Sequence, residues 1–228
     1  EARLYRNFIE GAGNRAIGVG YPNGINLAFD ADKMRVARVW LGGFIDAARH
    51  WNGRGQGHQP PLGYGDYKGP EAVPFTELAS PNDPWPEAKE RAEGYTFKGY
   101  ILMKEGRWPM MTYQYGDIQV VDYLNADGNA KDNNARISRS LILRANPLAP
   151  PTTLHFLAAR GSTIESLGDN RFLLDNGMVM TLTASANAHI RPTNDGGGKE
   201  LILPITFQDT GAGMATIQQS FQYQLTAE

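Results

Sequence analysis

Cysteine is absent from all 228 residues. That excludes disulfides, cysteine-ligated zinc, iron–sulfur clusters, a thiol nucleophile and covalent haem attachment through CxxCH within this chain. Long hydrophobic runs are missing too. No apolar stretch reaches 18 residues, so no helix is expected to span a membrane. Charge of one sign is scarce: 22 Lys and Arg stand against 24 Asp and Glu, the net charge is −2, and no run of five like charges occurs. Such a balance carries no footprint for a nucleic-acid partner. Among motifs, no GxGxxG opens a helix, and GxSxG, HExxH and HxH do not occur. The Rossmann fingerprint, the nucleophile elbow and the common zinc-protease signature are therefore excluded.

What remains is dense in strand signals. Leu4 to Ile9, Arg15 to Gly20, Ile25 to Phe29 and Met34 to Leu41 read as a meander, with turns at Tyr21-Pro-Asn-Gly24 and Phe29-Asp-Ala-Asp-Lys33. From Tyr95 onward hairpins follow one another. Ala135 to Ala145 alternates apolar Ile137, Leu141 and Leu143 with polar Arg136, Ser138, Ser140 and Arg144, the mark of a sheet with one wet face. Asp175-Asn-Gly177 is a strong hairpin signal, since Asn-Gly supplies two positive-φ positions. About fourteen strands and almost no helix predict an all-β chain, a large two-sheet antiparallel β-sandwich formed by residues 1–228 as one domain. Between 42 and 93 the pattern fails. Prolines at 60, 61, 70, 74, 81, 84 and 86 argue against regular ladders, and a long Gly/Pro-rich, irregular insertion is expected there.

Overlapping the start of that insertion, Trp40 to Gly65 combines two Trp, two His, two Arg, one Asp and seven Gly. The candidate binding or docking residues are Trp40, Asp46, Arg49, His50, Trp51, Arg54 and His58. Asp46 is suited to orienting an imidazole, His50 to acid–base work near neutral pH, and the two arginines to forking onto a carboxylate or sugar hydroxyls. Trp40 and Trp51 are suited to stacking on a sugar ring. The competing reading is a structural brace, in which Trp51 plugs the end of the sandwich and Asp46 pairs with Arg49. Elsewhere, Asn125-Ala-Asp-Gly-Asn129 resembles a calcium loop, but with Gly128 at the sixth position the first and twelfth fall on Tyr123 and Asn134, where carboxylates are required. A solvated hairpin loop accounts for it. Met110-Met111 reads as core-and-surface alternation in a strand. No catalytic residue and no metal ligand is assigned.

Several segments carry a resemblance: Arg15-Ala-Ile-Gly-Val-Gly20, Asn26-Leu-Ala-Phe-Asp30, Trp40-Leu-Gly-Gly-Phe-Ile-Asp46 and Trp51-Asn-Gly-Arg-Gly55, continued loosely by Tyr95 to Tyr100 and Gly116-Asp-Ile-Gln-Val120. They resemble a β-rich region of large exported bacterial proteins of planctomycete and verrucomicrobial type, in which it accompanies c-type cytochrome domains and dehydrogenase-like β-propellers. The resemblance implies a periplasmic or secreted setting and a c-type cytochrome or another assembly subunit as partner. With no CxxCH here, any haem is expected in that partner, and no cofactor in this chain. The chain opens at Glu1 without Met and is read as a mature or excised segment. The expected function is a non-catalytic accessory or interaction domain of an exported cytochrome c-containing electron-transfer assembly. The alternative is a carbohydrate-binding or carbohydrate-active β-sandwich that uses the 40–65 loop for a glycan.

Overall fold

The computed structural model describes residues 1–50, 57–87, 89–104, 108–132, 134–175, 177–183, 187–208 and 212–223, with Arg49, His50 and Thr183 described for backbone only. The described chain is all-β, with antiparallel sheets. Its longest sheet has eight strands in the order β12 (Ile164–Gly168), β13 (Arg171–Leu174), β14 (Met178–Thr183), β17 (Met214–Tyr223), β10 (Arg136–Arg144), β9 (Ile118–Asp127), β8 (Pro109–Tyr115) and β7 (Tyr95–Leu102). Strands β9, β10 and β17 alternate buried and accessible positions along their length, as one packed face and one outer face require.

Two smaller sheets form the layer opposite. One is a five-stranded meander: β1 (Arg3–Ile9), β2 (Gly13–Gly20), β3 (Ile25–Asp30), β4 (Arg35–Leu41) and β5 (Tyr64–Lys68). The other orders β15 (His189–Pro192), β16 (Lys199–Pro204), β11 (Leu154–Gly161) and β6 (Phe75–Glu77). All three contribute to one main apolar core. The Tyr21 hydroxyl donates to the Leu124 carbonyl at 2.8 Å, the Tyr223 hydroxyl to the Val39 carbonyl at 2.8 Å, and Gln219 Nε2 to the Ala158 carbonyl at 2.9 Å. The sandwich is thus one long sheet facing a divided layer.

The stretch 42–93 was expected to hold no regular ladder, yet it supplies β5 to one half of the divided layer and β6 to the other. Both strands are short and sit between prolines, where no ladder donor is lost. The chain beyond β6 covers the outer face of the four-stranded sheet, where Trp85 packs with Ala72, Leu78, Leu157 and Ile202 and donates its indole N–H to the Val73 carbonyl at 3.0 Å.

The five-stranded sheet is rolled. Strands β3 and β4 are buried at every residue. Large side chains (Ile17, Val19, Leu27, Phe29, Val39) face the main core, and small ones (Ala16, Gly18, Ala28, Ala37) face the other way. Four strands of a flat sheet span about 14 Å, yet Arg38 on β4 reaches the Glu10 carbonyl beyond β1 at 2.9 Å. The small concave face makes this closure possible. A β-carbon on Gly18 would stand 3.0 Å from Ile9 Cδ1 and 3.1 Å from both Ile45 Cδ1 and Phe44 Cζ. Gly18 is therefore a packing glycine.

Candidate functional site

The sequence-derived candidates divide three ways. Trp51 and Arg54 lie outside the described residues, as do the side chains of Arg49 and His50. Trp40 is fully buried inside the roll. Its indole N–H donates to the Gly43 carbonyl at 2.8 Å and the Phe44 carbonyl at 3.2 Å, and its ring stacks on Phe44 with centroids 6.1 Å apart. The expected stacking platform for a sugar is corrected accordingly: Trp40 is the centre of a small second core with Ile9, Ala16, Ala28 and Ile45. The glycines around it serve close packing. Gly63 shows this best, because a β-carbon there would stand 1.8 Å from the Leu41 carbonyl oxygen. Asp46 caps the 3-10 turn Ala47–His50, its Oδ1 accepting the Ala48 N–H at 3.0 Å. It orients a backbone turn.

His58 is the candidate that reaches an open site. It borders a groove of about 650 Å³ at one end of the rolled sheet. In a meander, alternate turns fall on the same side. The β1–β2 turn therefore lies beside the β3–β4 turn, and three later segments close around them: His58, the run 69–71, and Glu90–Arg91.

Arg35 holds the floor together. It is buried, and its Nε donates to Asp30 Oδ2 at 3.3 Å. Its remaining donors go to backbone carbonyls of Gly69 at 3.2 Å, Pro70 at 2.9 Å and Gly11 at 3.0 Å. Asp30 in turn accepts the backbone N–H groups of Asp32 at 2.9 Å and Lys33 at 3.2 Å, which is the side-chain turn that reverses β3 into β4. Burial pushes the Asp30 carboxyl above the usual carboxylate range, against the opposing pull of Arg35 and those two N–H groups.

The walls carry charge of both signs. Arg15 approaches Asp32 at 3.2 Å and Arg91 approaches the same oxygen at 3.7 Å, so two guanidinium groups flank one carboxylate. Lys33 donates to Glu71 at 3.1 Å, and that hydrogen bond holds the Glu71 carboxyl below its ordinary value. At the rim His58 Nε2 lies 3.0 Å from Asn14 Oδ1, and its ring meets Phe8 edge-on with centroids 5.8 Å apart. A second, smaller depression shares Asn14 and Arg15 and extends past Phe8 and Arg6. The whole is a groove lined by charged and polar side chains.

Sequence reasoning missed Arg15, Asp30, Asp32, Lys33, Arg35, Glu71 and Arg91. Asp30 to Lys33 reads in isolation as turn chemistry, and the rest are single charges. The available signal was topological, since two turns of one meander share an end. Among the described residues no group of three or more His, Asp or Glu is arranged to hold a metal ion. No protein-family model matches the chain, and no curated protein is similar to it in sequence.

Proposed function

We propose that the chain is a non-catalytic binding domain that contacts its partner through the charged groove, in an exported assembly containing a c-type cytochrome. The observation that supports a binding role is the pairing of the groove's charges. Asp30 faces Arg35, Asp32 faces Arg15, and Lys33 faces Glu71, while His58 faces the Asn14 carboxamide. Groups so engaged are held in fixed positions along the groove, as recognition by directed hydrogen bonds requires. The cytochrome partner and the periplasmic or secreted setting rest on the sequence resemblance in β2, β3 and residues 40–46.

The test is co-purification of the tagged chain from its native source, followed by haem absorbance of the eluate. The expected result is a haem protein that is retained by the native chain and lost with a double variant Arg15→Glu and Arg91→Glu. Equal haem content with both chains, or none with either, would overturn the reading.

A polyhydroxy ligand is the second reading, and one observation favours it. Phe8, an apolar ring 46 % exposed, sits with His58, Asn14 and Arg15 at the groove mouth. Aromatic faces bordered by amides and guanidinium groups suit sugar rings. Titration calorimetry with neutral oligosaccharides checks it: binding that disappears in His58→Ala supports a glycan, and no heat with the native chain excludes one.

A further inference from the structure

We propose that the edge strand β7 receives an extended, acidic segment of a partner protein as a further strand of the long sheet. The long sheet ends at β7, which pairs with β8 and, among the described residues, with no other strand. One side of its backbone is thus open to a new strand along about 27 Å. A cleft lies beside that edge. The rolled sheet is concave on the side away from the main core, so its rim at β1 curls away from the long sheet. The resulting depression of about 440 Å³ is bordered by Arg6 and Phe8 on β1, Ile17 on β2 and Phe97 on β7. Built ligand sites measure about 300–1,000 Å³. Tyr5 and Ile9 turn to the small second core, so the alternate residues Leu4, Arg6 and Phe8 face the layer of the long sheet. Leu4 meets the main core there. Phe8, on the same face, is 46 % exposed. The sheet that covers its neighbours has run out beneath it.

Charge identifies the occupant. Among the described residues, Arg6 and Arg15 border the cleft and no carboxylate does. Lys98 is exposed at the bulge of β7, a strand with no acidic residue. Arg15 is engaged by Asp32 at 3.2 Å, which leaves Arg6 and Lys98 without an acidic partner among the described residues. In strand addition the main chain supplies affinity, and pockets for alternate side chains supply specificity. Here the cations at the mouth favour an acidic segment, and a lysine at a bulge deters neutral or basic strands from the same edge. A second copy of this chain is disfavoured for the same reason, since its own β7 edge would bring like charges together. The site shares only Asn14 and Arg15 with the charged groove, and it does not depend on the partner proposed there.

Amide exchange of the full chain, read by NMR with and without a synthetic peptide of alternating Glu and Val, tests the proposal; the peptide has 8 residues, the length of β7. Exchange is expected to slow in β7. The double variant Arg6→Glu and Lys98→Glu is expected to weaken binding by about tenfold or more, with an unchanged melting temperature. A peptide of alternating Lys and Val is expected not to bind, and neither is the acidic peptide with methylated backbone nitrogens. Should the double variant unfold, Phe8→Asp, at an exposed position in the cleft, carries the same test. No binding of the acidic peptide overturns the proposal. So does binding that survives backbone methylation, equal binding of the basic peptide, or protection confined to the groove or to another sheet edge. Self-pairing of the chain through β7 overturns it as well, because the occupant is then a second copy. The assay contains no cytochrome, so its failure leaves the reading of the groove standing.

Discussion

Two buried acid–arginine pairs, Asp122–Arg139 and Asp30–Arg35, use the same chemistry to different ends. Asp122 and Arg139 stand on neighbouring strands of the long sheet and face the opposite layer. Arg139 grips the carboxylate with two nitrogens, at 3.0 and 2.7 Å, and its guanidinium lies 5.7 Å from the centre of the Phe156 ring. The pair turns inward on itself, and Gln219 completes it at 3.4 Å. Asp30 and Arg35 share a single 3.3 Å contact. Their other bonds go to backbone: Asp30 accepts two N–H groups of its own turn, and Arg35 donates to the distant carbonyls of Gly11, Gly69 and Pro70, which border the groove. One pair closes a sheet, the other opens a site. The difference lies in what surrounds each pair, not in the residues themselves.

The largest expected effect tests the sealed pair. Asp122→Ala leaves Arg139 charged and without its partner in the core, at a cost of about 3–5 kcal/mol by denaturant unfolding. The double change Asp122→Leu with Arg139→Met is expected to recover most of that loss, because a well-packed apolar pair replaces a desolvated ionic one. Failure to recover would show that the pair contributes more than its own satisfaction.

Arg35→Met is expected to cost less, about 2 kcal/mol, since four hydrogen bonds are lost but water at the groove can replace some. Its distinguishing sign is local. Amide exchange should rise in the β1–β2 turn and at residues 69–71, and stay unchanged in β9 and β10.

The pH response separates the groove from the hairpin at Asp175. Burial raises the Asp30 carboxyl, so the folded state holds that proton more readily than the unfolded chain. Its contribution is fullest below the ordinary carboxylate pKa, near 4, and declines as pH rises through the folded value. Asp175 behaves oppositely. Partial burial acts to raise it, but hydrogen bonds from the Thr163 and Ser162 N–H groups prevail and hold it low, so its contribution is present above about pH 4 and is lost as pH falls through the folded value. Unfolding free energies between about pH 3 and 6 should therefore show Asp30→Asn and Asp175→Asn changing the slope with opposite sign, each by about 1 kcal/mol or less. The smallest expected effect on stability, about 0.5 kcal/mol or less, belongs to Arg15→Ala, a half-exposed ion pair. That variant should nonetheless weaken whatever the groove binds.

Strands with one wet face were legible in the sequence. Ile137, Leu141 and Leu143 against Ser138, Ser140 and Arg144 could be nothing else, and β10 formed where it was expected; β9 runs on through Asn125 to Asp127, residues read from the sequence as part of a solvated loop. Strands β5, β6 and β15 were not legible. They run five, three and four residues, too short for a period to show beside prolines. Trp40 misled for a physical reason: glycine density around an indole suits a ligand cradle and a tightly rolled sheet equally well. The alternation of large and small residues in Ala16-Ile-Gly-Val-Gly20 was the clue to the second. The groove was illegible because each of its residues has a sufficient local explanation. Only the meander brings them to one place.

The roll has a consequence for solubility. An edge strand presents unpaired backbone groups to any passing chain and is a standing template for aggregation. At the Phe8–Glu10 end of β1 that template is covered. The Glu10 N–H donates to the Gln59 carbonyl at 3.0 Å, and the Gln59 N–H to the Phe8 carbonyl at 2.9 Å. A single residue, Gln59, thus caps that end of the edge strand. Changes that displace Gln59 would show first as sticky, edge-paired protein, before any loss in the fold's core.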